Sequence, residues 1–145
     1  MTIRYTPTPG GALATKSTFV TANVNLANDV DTEVTSVDLT AGTWLVIATA
    51  LNATEGATCD IDIWLDSVSG AISASPYGSG GLTQNTPATT AFSPQSVGVV
   101  VALVVLTAPQ TVYLNAVAEG QNGVLNVTNQ SSIGGATGIV AVKVA

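Results

Sequence analysis

This 145-residue chain contains nine Asp and Glu residues, whose carboxylates are its best candidates for binding a metal ion or for catalysis. Six of them fall into two alternating sets: Asp29, Asp31 and Glu33, then Asp60, Asp62 and Asp66. Clustered carboxylates suit Ca²⁺, a hard cation that takes roughly six to eight oxygen ligands. However, residues two positions apart on a strand lie about 7 Å from each other, so one ion needs further ligands from a loop. We therefore expect two solvated strand faces and assign no metal ligand.

Aromatic side chains are the second candidate for a site, because Trp44, Trp64 and Tyr113 offer rings on which a sugar can stack. A Trp in a strand more often fills a core or an interface, and we expect that role here. Cys59 shares its strand phase with Ile61, which predicts a small buried apolar side chain.

Two residue types that often act in catalysis and metal binding are absent or nearly absent. The chain has no His and a single Cys. This excludes Ser-His-Asp and Cys-His catalysis, as well as zinc-finger and iron–sulfur ligand sets. The glycine-rich segment 78–81 lacks the Lys-Ser/Thr pair of a phosphate-binding loop. A formal net charge of −6 repels the phosphate backbone. We predict a protein that is not an enzyme, holds no cofactor and does not bind nucleic acid.

The composition predicts that strands position these side chains. Val, Ile and Thr make up about one residue in three, and such side chains suit a pleated surface. The chain has only 8% charged residues, too few to give helices a polar exterior. We expect about eight to ten strands in one all-β domain, arranged as an antiparallel sandwich of the jelly-roll type.

Alternation of apolar and polar residues places the individual strands. It predicts a strand over 20–26, a turn over 27–29 and a continuation of the strand over 30–34. A bulge or break follows where the apolar phase slips between Val34 and Val37. Segments 59–66 and 112–118 each show one inward row. A short strand is expected around Ile72, and residues 76–96 are expected to form a long irregular loop.

The first 17 residues contain two prolines and no period-2 pattern, and we expect an extended N-terminal arm ahead of a domain over 18–145. The plain interpretation of this arm is a frayed terminus. The sharper hypothesis is a docking arm that orders on a partner. Its anchors would be Ile3, Arg4, Tyr5 and Lys16.

The segment over 97–106 is apolar in both strand phases. It is much shorter than the ~20 residues that a membrane-spanning helix needs, and we expect no membrane association. Such a strand is either covered by protein on both faces or placed at the axis of an oligomer. The hypothetical core of a homotrimer comprises Val99, Val101, Leu103 and Tyr113.

Three motifs in a fixed order resemble the C1q/TNF-like jelly rolls found in tailed-phage virion proteins. Residues 37–46 (VDLTAGTWLV) resemble the strand–turn–strand motif L-x-x-G-x-W/Y of that family. Residues 111–116 (TVYLNA) resemble its penultimate strand, and residues 136–144 (ATGIVAVKV) its closing strand. The resemblance spans about residues 18–145. It implies a trimer packed about a three-fold axis and no shared catalytic residues.

The resemblance and the short chain lead to an expected function. The hypothesis is a trimeric capsid decoration (cement) protein that binds the major capsid protein and stabilises the phage head. It would be made in the host cytoplasm and end on the capsid exterior. The alternative is the receptor-binding tip of a tail or head fibre, which would recognise host glycan with the 76–96 loop and its aromatic residues. A third hypothesis is a non-viral C1q/TNF-like module, disfavoured because the N-terminus lacks a basic segment followed by an apolar run.

Overall fold

A computed structural model describes residues 13–52, 59–84, 96–120, 123–125 and 136–145. Every regular element in this part of the chain is a strand, which confirms the prediction of an all-β fold. The strands are β1 (Thr15–Phe19), β2 (Val24–Leu26), β3 (Thr32–Leu39), β4 (Gly42–Asn52), β5 (Cys59–Asp66), β6 (Gly78–Gln84), β7 (Ser96–Leu106), β8 (Gln110–Glu119), β9 (Gly123–Leu125) and β10 (Gly138–Lys143).

The strands form two antiparallel sheets that face each other as a β-sandwich. In sheet A, β4 pairs with β10 along one side and with β7 along the other, and β1 lies outside β10. The short β2–β9 pair joins sheet A at Asn52, the last residue of β4. Sheet B has the order β3-β8-β5-β6.

Between the sheets lies a core built from alternate residues of each strand. Strand β8 buries Val112, Leu114, Ala116 and Ala118, the inward row that alternation predicts. Strand β5 buries Ile61, Ile63 and Leu65 against them. Burying a side chain of this size stabilises the fold by about 1.5–3 kcal/mol, so these rows determine which face of each strand points inward.

The phase slip in β3 appears as an irregularity in strand pairing. The register between β3 and β8 shifts between Glu33 and Thr35. Val34 and Val37 therefore both reach the core although they lie three positions apart. An extra residue in one strand of an antiparallel pair has this effect, and the predicted bulge is confirmed.

The N-terminal strands differ from the alternation pattern. The predicted strand over 20–26 is too long, because only Val24–Leu26 is a strand. The turn predicted over 27–29 does separate it from β3, and the N–H of Val30 donates to the carbonyl oxygen of Ala27 at 3.3 Å. Strand β1 begins at Thr15, so the last three residues of the predicted arm pair with β10. A Cβ atom at Gly138 would lie 2.3 Å from the carbonyl oxygen of Thr18. The absence of a side chain there lets the two backbones approach, which alternation does not reveal.

The segment predicted as one long loop contains β6. This strand pairs with β5 along its length. Its glycines also allow it to lie against the edge strand of the other sheet: a Cβ atom at Gly80 would be 3.3 Å from the carbonyl oxygen of Val99. Glycine signals turns in most sequences, and here it permits close contact between two strands instead. The remaining loop residues, 85–95, lie outside the described part of the chain.

Candidate interaction surface

The outer face of sheet A carries the largest group of exposed apolar side chains that the structure describes. On β7, inward residues such as Val100 and Val104 are buried, and the alternate residues point away from the core. These outward residues are between 52% and 67% exposed: Val97, Val99, Val101, Leu103 and Val105. Strand β7 is therefore covered on one face only within a single chain.

Strand pairing extends this apolar surface across three strands. Val101 lies opposite Ile47 of β4, which lies opposite Val140 of β10. In the next row, Leu103 lies opposite Leu45, which lies opposite Val142. Residues paired in this way share one face of a sheet. We define the apolar face as Val97, Val99, Val101, Leu103, Val105, Leu45, Ile47, Val140 and Val142.

The apolar face contains no charged side chain. Strands β4 and β7 have none in their sequences. Lys143 of β10 lies opposite Trp44, whose side chain is buried in the core. Its ammonium group donates a hydrogen bond to the carbonyl oxygen of Ala41 at 2.8 Å and lies 5.9 Å from the centre of the Trp44 ring. The positive charge is thereby held at the edge of the sheet.

The structure brings together three of the four residues predicted for a trimer core. Val99, Val101 and Leu103 are neighbours on β7. Tyr113 does not join them, because it lies on β8 in sheet B, opposite Ser36 and Asp66. Its neighbours Val112 and Leu114 point into the core, so Tyr113 faces outward on the opposite side of the sandwich. Alternation correctly predicts which side chains of β8 point into the core. It does not indicate to which of the two sheets β8 belongs.

The residues predicted to anchor a docking arm are only partly described. Lys16 lies in β1 opposite Ala141 and is exposed. The other three residues, Ile3, Arg4 and Tyr5, lie outside the described part of the chain.

Both Trp side chains belong to the protein interior, as expected from their strand positions. Trp44 is 1% exposed and its indole N–H donates to the carbonyl oxygen of Thr40 at 2.9 Å. Trp64 is 4% exposed and donates to the carbonyl oxygen of Ala71 at 3.0 Å. Neither ring is free to stack on a sugar. The side chain of Cys59 lies outside the described part.

Acidic side chains concentrate on the opposite side of the molecule from the apolar face. Asp60 and Asp62 are exposed on β5, and Asp60 lies opposite Glu119 of β8. Among the residues that the structure describes, no three His, Cys, Asp or Glu side chains come together as a metal site. Association through the apolar face would therefore leave these charges in water.

The expectation of a solvated carboxylate is wrong for Asp66, because this residue is fully buried. Its carboxylate accepts hydrogen bonds from the backbone N–H groups of Ser67 at 2.6 Å, Val68 at 3.3 Å and Ser73 at 2.7 Å. Burial acts to raise the pKa of Asp66, but hydrogen bonds from Ser73, Ser67 and Val68 outweigh it and lower the pKa. The Asp66 carboxylate is therefore ionised, and in this form it holds the loop that follows β5.

Asn115 is a second buried polar residue that binds the same loop, and no pattern in the sequence indicates this role. Its side-chain oxygen accepts from the N–H of Gly70 at 2.9 Å, and its amide donates to the carbonyl oxygens of Val68 at 2.8 Å and Ala71 at 3.2 Å. These bonds occupy backbone groups that a strand would use. The short strand expected around Ile72 is therefore wrong, and residues 67–77 form a loop across sheet B.

No protein-family model matches the chain, and no curated protein matches its sequence. Within the described residues, no helix has the length and apolar character needed to cross a membrane. The fold and its surfaces define the class of this chain as an all-β sandwich with one uncharged apolar sheet face.

Proposed function

We propose that this chain is a structural, non-enzymatic protein that works as a homotrimer and decorates the exterior of a phage capsid. The order of the eight long strands supports the jelly-roll topology within this proposal. Sheet A contains β1, β10, β4 and β7, and sheet B contains β3, β8, β5 and β6. Strands that follow each other in the chain thus mostly lie in opposite sheets, as in two Greek keys rolled together.

The apolar face is the observation that carries the self-association part of the proposal. A full Val or Leu side chain gains about 1.5–3 kcal/mol on burial. The five outward residues of β7 are each more than half exposed. Covering them would contribute on the order of 5–10 kcal/mol per protomer, which is comparable with the cost of about 4–15 kcal/mol for association. Left uncovered, the same strand promotes aggregation.

The number of protomers and the capsid partner come from the resemblance of the strand motifs to phage virion jelly rolls. In this proposal three arms extend from one trimer and contact neighbouring copies of the major capsid protein. Several modest contacts on one rigid body then sum through their high effective concentration. Only 8% of the residues are charged, which is consistent with a protein that functions by binding to other protein surfaces.

Co-sedimentation with capsids tests the capsid part. Because β1 begins at Thr15, deletion of residues 2–12 spares every described strand. We expect the intact protein to sediment with capsids and the deletion variant to bind at least tenfold more weakly. Circular dichroism would establish that the variant keeps its β structure. Equal binding would remove the arm from the mechanism, and immunogold label at the tail instead of the shell would contradict decoration.

A further inference from the structure

A groove of about 350 Å³ opens on the outer face of sheet B, on the side of the molecule opposite the apolar face. Strands β5 and β8 line it with Ile63, Trp64 and Val117, and β6 contributes Ser79 and Gly80. Ile72, on the loop over 67–77, forms one wall and Asp31, which precedes β3, forms another. Asp62 completes the polar part of the lining.

The charged groups of this groove are all negative. Asp31 and Asp62 are both exposed in it. The two basic side chains that the structure describes, Lys16 and Lys143, belong to β1 and β10 of sheet A. The potential in the groove therefore favours a cation.

An apolar wall stands beside these carboxylates. Ile72 is 60% exposed and lies on a loop that buried Asp66 and Asn115 hold through several hydrogen bonds. Val117 adds a half-buried apolar surface. A rigid apolar wall reduces the entropic cost of binding an aliphatic chain.

We propose that this groove binds the side chain of a lysine or an arginine that a partner protein presents. The aliphatic stem of either residue packs along Ile72 and Val117 while its charged end reaches Asp31 and Asp62. A bare divalent cation would leave the apolar wall unused. A sugar would lack a stacking surface, because the Trp64 ring is 4% exposed.

Titration of ¹⁵N-labelled protein with small probes tests the chemistry of the groove. The probes are the N-acetyl methylamides of lysine, arginine and norleucine, of which norleucine has the stem without the charge. We expect the lysine and arginine probes to shift the backbone amide signals of Asp62, Ile72 and Val117. At the same concentration, the norleucine probe should cause shifts that are at least tenfold smaller. Equal shifts from norleucine, or larger shifts from methyl mannoside or CaCl₂, would overturn the proposal.

Charge-neutral variants show whether the two carboxylates are responsible. The double variant Asp31→Asn/Asp62→Asn should bind the lysine probe at least tenfold more weakly. Asp38→Asn is the matched control, because Asp38 is an exposed carboxylate of the same sheet that lies opposite Thr111, six positions along β8 from Val117. It should bind like the wild type. Unchanged affinity in the double variant contradicts the inference. The groove and the apolar face lie on different sheets, so absence of a trimer would leave this result unaffected.

Discussion

Replacement of Asn115 by Ala should destabilise the protein through the loop that follows β5. Asn115 is fully buried and binds backbone groups of Gly70, Val68 and Ala71. The carbonyl oxygen of Ala71 keeps its bond from Trp64. The N–H of Gly70 and the carbonyl oxygen of Val68 lose this partner. Both bonds are partly buried, so the loss of these partners should cost about 1–3 kcal/mol in the free energy of unfolding.

Urea unfolding followed by Trp fluorescence measures this loss. The wild type, Asn115→Ala and the control Asn25→Ala should be compared at one protein concentration, because association changes apparent stability. Asn25 is exposed on β2, and its replacement should change stability by less than about 0.5 kcal/mol. Hydrogen exchange adds a local readout, since the amide of Gly70 should exchange much faster in Asn115→Ala. A loss below about 0.5 kcal/mol together with unchanged exchange at Gly70 would show that Asn115 does not hold this loop.

Three further predictions concern pH, backbone contact and salt. The lowered pKa of Asp66 means that its contribution to stability is complete above about pH 4 and is lost as the pH falls through the folded-state pKa. Asp66→Asn should abolish this part of the acid sensitivity in urea titrations at several pH values, and parallel curves for both proteins would contradict it. Gly138→Ala places a methyl group against the backbone of Thr18 and should cost about 1–3 kcal/mol in thermal or urea unfolding, whereas an unchanged midpoint would show that β1 does not pack there. Self-association through an uncharged face should not weaken between 50 mM and 500 mM NaCl in sedimentation experiments, because the fall in screening length from about 14 Å to about 4 Å acts on no charge there. Steep weakening would indicate a charged interface instead.

Alternation in the sequence predicts those strands whose two faces differ in environment. Strands β5 and β8 have one apolar row each, and burial follows it. The phase slip in β3 likewise predicts the irregular pairing near Val34. Such patterns are informative because a shift by one residue would expose the entire apolar row.

Features that depend on contacts distant in sequence were not predictable in this way. Strand β6 reads as a loop because its glycines have no side chains to alternate, although they allow its approach to β7. The loop after β5 reads as a strand around Ile72, because nothing local indicates that Asn115 occupies its backbone groups from 44 to 47 positions away.

The sequence pattern predicts the residues of the apolar face that lie on β7, but not those that neighbouring strands of sheet A contribute. The two apolar phases of β7 singled out Val99, Val101 and Leu103 as candidates for contact. The contribution of Leu45, Ile47 and Val140 depends on the order of strands in sheet A, which the sequence pattern does not contain. The same missing information placed Tyr113 in this group, although it belongs to sheet B.

Sedimentation equilibrium of the wild type and of Leu103→Glu is the measurement that tests self-association through the apolar face. Leu103 is 64% exposed in the single chain. A Glu at this position would lose the apolar contact and place a carboxylate in an uncharged interface. A penalty of about 3 kcal/mol or more corresponds to association weaker by at least about a hundredfold. Val68→Glu is the control, because Val68 is an exposed apolar residue on the sheet B loop.

We expect a mass of about three protomers for the wild type and for Val68→Glu, and a folded monomer for Leu103→Glu. A wild-type protein that remains monomeric, or a Leu103→Glu variant that assembles as tightly as the wild type, would contradict self-association through the apolar face.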